Sequence, residues 1–154
     1  MKRCLFICLA SAVVFAASLY AADNQVGTWK LNLAKSKYSP ANLAPKSTTA
    51  KIEAVDGGVK IVVDTVDSGG KSVHYDYTVK YDGKDYPVKG DPNRDATMLR
   101  KIDDYTFEQI NKKAGKVTTT NRVVYARDGK SRTQVTTGTN PQGQKVDNTT
   151  AWEK

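Results

Sequence analysis

From Val26 onward the hydrophobic positions recur every second residue rather than every third or fourth. Val59, Ile61 and Val63 alternate with Lys60 and Asp64, and Val73, Tyr75, Tyr77, Val79 and Tyr81 alternate with His74, Asp76, Thr78 and Lys80. Successive side chains of an extended strand point to opposite faces, so this period marks strands with one face buried and one in water. Valine, threonine and tyrosine, which suit a pleated, half-buried surface, dominate these runs. No stretch after Val26 carries the 3.6-residue pattern of an amphipathic helix of ordinary length.

Turn chemistry cuts the runs at short intervals: Asp56-Gly57-Gly58, Asp67-Ser68-Gly69-Gly70, Asp82-Gly83, Asp103-Asp104, Lys113-Ala114-Gly115, Asp128-Gly129 and Asn140-Pro141-Gln142-Gly143. Asp-Gly supplies the positive φ that tight hairpins need. The runs between these turns predict ten strands, at roughly 26–32, 48–55, 59–66, 71–81, 84–88, 96–102, 105–111, 116–126, 130–138 and 144–152. Hairpin-joined strands form a meander, and a meander this long closes on itself or folds into two sheets. The expected architecture is all-β, a single antiparallel meander of ten strands closing into a barrel. Two segments break the hairpin logic. Leu33 to Ser47, with Pro40, Pro45, Tyr38 and Leu43, is too long for a turn, and Val88 to Asp95, with Gly90 and Pro92, is the second. Connections of the first kind are usually lids or binding loops.

The first 22 residues fall outside this pattern. Lys2 and Arg3 precede an apolar run from Cys4 to Leu19, and Ala21 and Ala22 lead into the polar Asp23-Asn24-Gln25. That is the layout of a secretory signal peptide, and the run is short for a bilayer span. The expectation is an exported, periplasmic or secreted protein without a stable membrane anchor: a signal peptide at 1–22 and one domain at 23–154. Both cysteines, Cys4 and Cys8, lie in the leader, so the domain is expected to hold together by its core rather than by disulfides.

The chain carries 24 Lys and Arg against 16 Asp and Glu; without Lys2 and Arg3 the balance is 22 against 16, a net of +6. Seventeen of those 22 cations are lysines scattered along the strands, with no run longer than Lys112-Lys113. Nucleic-acid readers cluster their basic residues and favour arginine, so this spread reads as solvated strand faces and no nucleic-acid partner is expected.

At Gly27-Thr28-Trp29-Lys30 the chain resembles the first strand of the calycin families, the lipocalins and the intracellular fatty-acid-binding proteins, which open with Gly-x-Trp. The closing Thr150-Ala151-Trp152-Glu153-Lys154 resembles the last strand of the fatty-acid-binding group, and residues 27–40 are similar to a set of short exported bacterial proteins of no assigned activity. The resemblance implies a lipocalin-like barrel in which Gly27 and Trp29 plug the closed end. Fatty-acid-binding proteins hold a ligand carboxylate with Arg-x-Tyr in the last strand, where this chain has Thr150 and Trp152. Lipocalins carry a disulfide and a helix after the barrel, and neither is present here.

No catalytic constellation stands out. His74 is the single histidine and falls on the polar phase of its strand, so no triad or zinc site is expected and no cofactor is implied. Asp91-x-Asn93-x-Asp95 opens like a calcium loop, but Ala96 replaces the glycine and Ile102 the bidentate glutamate. The candidate ligand-binding residues are Tyr75, Tyr77, Tyr105, Phe107 and Tyr125, assigned with Met98, Ile102 and Val123 to the inward phase. Arg100 shares the phase of Met98 and Ile102, Gln109 that of Phe107 and Asn121 that of Val123, whereas Arg122 lies on the opposite phase. An arginine facing an apolar interior needs an internal carboxylate or an anionic ligand. Two readings follow: a non-catalytic barrel binding a small amphiphilic or apolar ligand beneath the 33–47 loop, or a structural or protein-interaction module with a filled core. They differ in whether the interior is open. Oligomeric state is not legible in the pattern.

Overall fold

A computed structural model describes residues 24–154, and the expected leader at 1–22 lies outside the described residues. The chain forms ten antiparallel strands: β1 (Gly27–Lys37), β2 (Ser47–Val55), β3 (Gly58–Val66), β4 (Ser72–Lys80), β5 (Tyr86–Pro87), β6 (Ala96–Lys101), β7 (Thr106–Lys113), β8 (Lys116–Tyr125), β9 (Ser131–Thr139) and β10 (Lys145–Glu153). They make one sheet in the order β4-β3-β2-β1-β10-β9-β8-β7-β6-β5, so the first strand pairs with the last and every other neighbour is sequential. The seam between β4 and β5–β6 is bridged at Asp76 and Lys89, each of whose amides donates to the other's carbonyl at 3.3 Å. The result is the nearly closed β-barrel that the alternation predicted. Among the described residues no helix is long and apolar enough to cross a membrane.

Two elements differ from the sequence reading. β1 runs on to Lys37 where a loop was expected, because a register shift between Asn32 and Lys37 lets it bend and keep its pairing with β10. The remaining connection, 38–46, holds only a short 3-10 turn at Ala41–Leu43. β5 shrinks to two residues, as expected of an edge strand that contains Pro87.

One end of the barrel is packed shut. Trp29 is fully buried and its indole N–H donates to the Gln25 carbonyl at 2.8 Å, so the ring is satisfied as well as dry. Ile52, Val59 and Val79 pack in the same core, and Trp29, Tyr125, Phe107 and Tyr81 follow one another at centroid spacings of 5.3, 5.8 and 5.7 Å. Gly27 has φ +140°, and a Cβ there would meet the Lys154 side chain, whose ammonium lies 4.9 Å from the Trp29 ring. Gly27 and Trp29 therefore sit together at the packed end of the barrel.

Candidate functional site

Above the plug the barrel encloses a cavity of about 330 Å³, lined by residues of β2–β4 and β6–β10 and of the 88–95 and 140–144 connections. That volume is at the small end of the range for ligand pockets and equals about eleven waters at their liquid density. The strand register divides the lining into two walls. On β2, β3 and β4 the inward rungs are Ala50 opposite Val63, Ile52 opposite Ile61, and Ile61 and Val63 opposite Tyr77 and Tyr75. Across the barrel, Gln109 pairs with Asn121, Asn121 with Thr136, and Thr136 with Asn148. One wall is thus aliphatic and aromatic, and the other holds a complete rung of amides and a hydroxyl.

A side-chain relay orders this polar rung. Asn121 Nδ2 donates to Gln109 Oε1 at 3.0 Å, and Gln109 Nε2 donates to the Tyr77 hydroxyl at 2.9 Å. All three residues are buried, so the relay meets the requirement that buried polar groups find partners. Asn121 Oδ1 is an exception: it is buried and accepts nothing from the described residues.

Three charged side chains line the cavity: Asp91, Arg94 and Arg132. Asp91 and Arg94 form a closed pair near the mouth, with Arg94 Nε 2.8 Å from Asp91 Oδ2 and both side chains only 9% exposed. Arg94 also donates to Asn111 Oδ1 at 2.7 Å and lies over the rings of Tyr77 and Tyr75 at 4.9 and 5.1 Å. Burial works against its charge, but Tyr77, Tyr75 and Asp91 outweigh it and hold the guanidinium above its ordinary pKa. Desolvation pushes the Tyr75 phenol up to about 12, against a lowering by Arg94.

Arg132 is different. It projects inward from β9 at the plugged end and is 8% exposed. Its guanidinium is packed among aromatic rings, 4.5 Å from Trp152, 5.2 Å from Trp29 and 5.7 Å from Tyr125. One terminal nitrogen donates to the Tyr125 hydroxyl at 3.1 Å, and Nε has no partner among the described residues. No carboxylate of the described residues pairs with it, whereas Arg94 and Arg100 each have one. Cation–π contacts with three rings hold the charge in place, but they do not replace the hydrogen bonds of Nε.

Of the residues expected to bind ligand, Tyr75, Tyr77, Phe107 and Tyr125 line the cavity, as do Gln109, Asn121 and Val123. Arg100 does not. It points to solvent with its side chain 51% exposed, and its NH2 lies 2.6 Å from Glu108 on β7. The phase of β6 is the reverse of the one expected: Thr97 and Leu99 are buried, Met98 is partly exposed and Ile102 is exposed. Burying threonine at 97 is affordable because its hydroxyl donates to Asn111 Oδ1 at 3.0 Å. Tyr105 is not in the lining either. It precedes β7 and stacks under Arg127 at 5.8 Å. The 38–46 connection contributes no lining residue; the mouth is bordered by 91–94 and by Asn140 and Pro141.

The two arginines that do face the cavity escaped the sequence reading. Arg94 lies in a segment read as loop, and β9 buries Arg132, Gln134 and Thr136 in part or in full while exposing Val135, so its hydrophobic pattern points the wrong way. The usable signal was the hairpin: Tyr125 pairs with Arg132 across Asp128-Gly129, so an inward Tyr125 implies an inward Arg132. His74 is exposed on the outer face, 2.6 Å from Asp64. In the calcium-like segment Asp91 caps Asn93 N and holds Arg94, and Asp95 caps Ala114 N. Among the described residues no group of three or more potential metal-ligating His, Cys, Asp or Glu side chains occurs. A scan against protein-family models finds no match for this chain, and a search of curated proteins finds none either.

Proposed function

We propose that this protein is a non-catalytic small-ligand binder whose barrel interior takes up an organic monoanion. The observation that carries the reading is Arg132: a guanidinium buried at the floor of the cavity, whose Nε has no partner and which no carboxylate pairs among the described residues. An isolated charge out of water is costly unless something of opposite sign meets it. The Asp91–Arg94 pair cancels itself, so the lining carries one net positive charge. The apolar wall of Ile52, Ile61 and Val63 favours a ligand with a hydrocarbon part, and the small volume favours one of on the order of ten to fifteen non-hydrogen atoms. Binding rather than chemistry is supported by the lining's single carboxylate being tied to Arg94 and by His74 standing on the outer face.

Decanoate is a suitable probe, titrated calorimetrically into the wild-type protein and into Arg132→Met. A charge-assisted hydrogen bond of about 1.5–3 kcal/mol implies that the substitution weakens binding by roughly 10- to 150-fold. Arg100→Met, on the outer face, leaves affinity unchanged. Absence of binding by the wild type, or equal binding by Arg132→Met, sinks the reading in favour of an interaction module.

A further inference from the structure

The floor arginine accounts for one end of a ligand, and a second orphaned group lies farther up the same wall. Asn121 is 5% exposed, lines the cavity, and its Oδ1 has no partner among the described residues. Its amide is oriented by the relay through Gln109 to Tyr77, which uses Nδ2 as a donor and leaves Oδ1 without a partner among the described residues. Pairing fixes the relative levels of the two residues' backbone positions. Tyr125 is opposite Arg132 and Asn121 opposite Thr136, so Asn121 stands four residues from the level of Arg132 on neighbouring strands. At ~3.4 Å per residue their backbone positions lie about 14 Å apart along the barrel wall.

We propose that the ligand is a hydroxylated carboxylate whose acid group meets Arg132 and whose hydroxyl, on the order of 10 Å away along the strand direction, meets Asn121. This inference rests on the anion-binding reading above and narrows it to a ligand class. A plain fatty acid would set its hydrocarbon tail against the rung of Gln109, Asn121, Thr136 and Asn148, and would leave Asn121 Oδ1 buried and unpaired. An unsatisfied buried acceptor loses its hydration without return. A hydroxyl donates and accepts, so it serves the Asn121 amide in either setting of the relay. The opposite wall of Ile52, Ile61 and Val63 takes the apolar chain between the two polar ends.

The test compares three ligands of one chain length on the purified protein: decanoate, α-hydroxydecanoate and ω-hydroxydecanoate. The ω-hydroxy acid, whose extended chain spans a distance comparable to that between the orphans, is expected to bind at least about tenfold more tightly than decanoate. The α-hydroxy acid, with its hydroxyl beside the carboxylate, gains nothing. Asn121→Ala is expected to abolish the difference in affinity between ω-hydroxydecanoate and decanoate. Equal affinity for decanoate and ω-hydroxydecanoate overturns the hydroxyl assignment and leaves the anion site standing, as does an advantage that survives Asn121→Ala. Failure of all three acids to bind removes the anion reading itself. Because the ligand comparison is made on the unsubstituted chain, it decides the question even if Asn121→Ala does not fold.

Discussion

Tyr75 is partly buried on the cavity wall, in cation–π contact with Arg94, and desolvation raises its phenol to about 12 from an ordinary value near 10. A raised native pKa means the folded state keeps its proton longer than the unfolded chain does. Stability from this group is therefore complete below about pH 10 and is lost as pH rises through about 12. Tyr38 behaves alike, its phenol pushed up to about 12 by burial. Alkaline absorbance titration is expected to show a late tyrosinate component, diminished but not abolished in Tyr75→Phe, with a correspondingly shallower loss of stability over pH 10–12 in that variant. A Tyr75→Phe titration superimposable on the parent would show that this phenol is not sheltered. At this scale the sequence was only half legible. Tyrosines on a regular alternation announced their face. The arginines did not, because Arg100 shares an apparent apolar phase with Met98 and Ile102 while its strand hides Thr97 and Leu99 instead. Side-chain hydrogen bonding from Thr97 to Asn111 reverses what hydrophobicity alone suggests.

Strands were legible because hairpin turns bracket them. Asp56-Gly57-Gly58 and Asp128-Gly129 mark the ends of β2 and β8, and the pairing of β1 with β10 closes the order that the meander leaves open. The seam was not legible, since it depends on a short irregular connection rather than on a periodic run. Gly90 is the residue that lets it form. Its φ is +87°, and a Cβ there would sit 2.5 Å from the His74 carbonyl oxygen. That oxygen belongs to the backbone of β4 and cannot swing aside as a side-chain tip could. Gly90→Ala therefore combines an unfavourable backbone conformation with a steric clash, and is expected to cost on the order of 1–3 kcal/mol. The cost should appear locally: the Asp76 and Lys89 amides, which bridge the seam, exchange with solvent faster while amides of the β8–β9 ladder stay protected. Uniform exchange behaviour in the variant would falsify the view that Gly90 lets the Asp76–Lys89 bridge close this part of the seam.

Taken as a whole, the molecule keeps a buried cation at a place where a hydrocarbon would pack more cheaply. Arg132 is enclosed by Trp29, Trp152 and Tyr125 with one hydrogen bond from a terminal nitrogen and none from Nε. Three ring contacts recover about 0.5–2 kcal/mol each. Desolvating a guanidinium costs several kcal/mol, and replacing buried charges by apolar side chains of similar size is often neutral or stabilising. Arg132→Met fills nearly the same space, so the empty variant is expected to match the wild type or to exceed it by up to about 2 kcal/mol in denaturant unfolding. Ligand shifts the balance back toward the wild type. A ligand at a hundredfold excess over the wild-type Kd stabilises the wild type by about 2.7 kcal/mol, whereas a variant that binds roughly 10- to 150-fold more weakly gains only about 0.3–1.4 kcal/mol. Breaking the Asp91–Arg94 pair provides the contrast, since Asp91→Ala strands a buried guanidinium that the fold relies on and is expected to destabilise by roughly 3–5 kcal/mol whether or not ligand is present. If Arg132→Met instead loses more than about 2 kcal/mol in the empty state, a loss typical of disrupted core packing, then Arg132 belongs to the plug with Trp29 and the anion must be sought at another group.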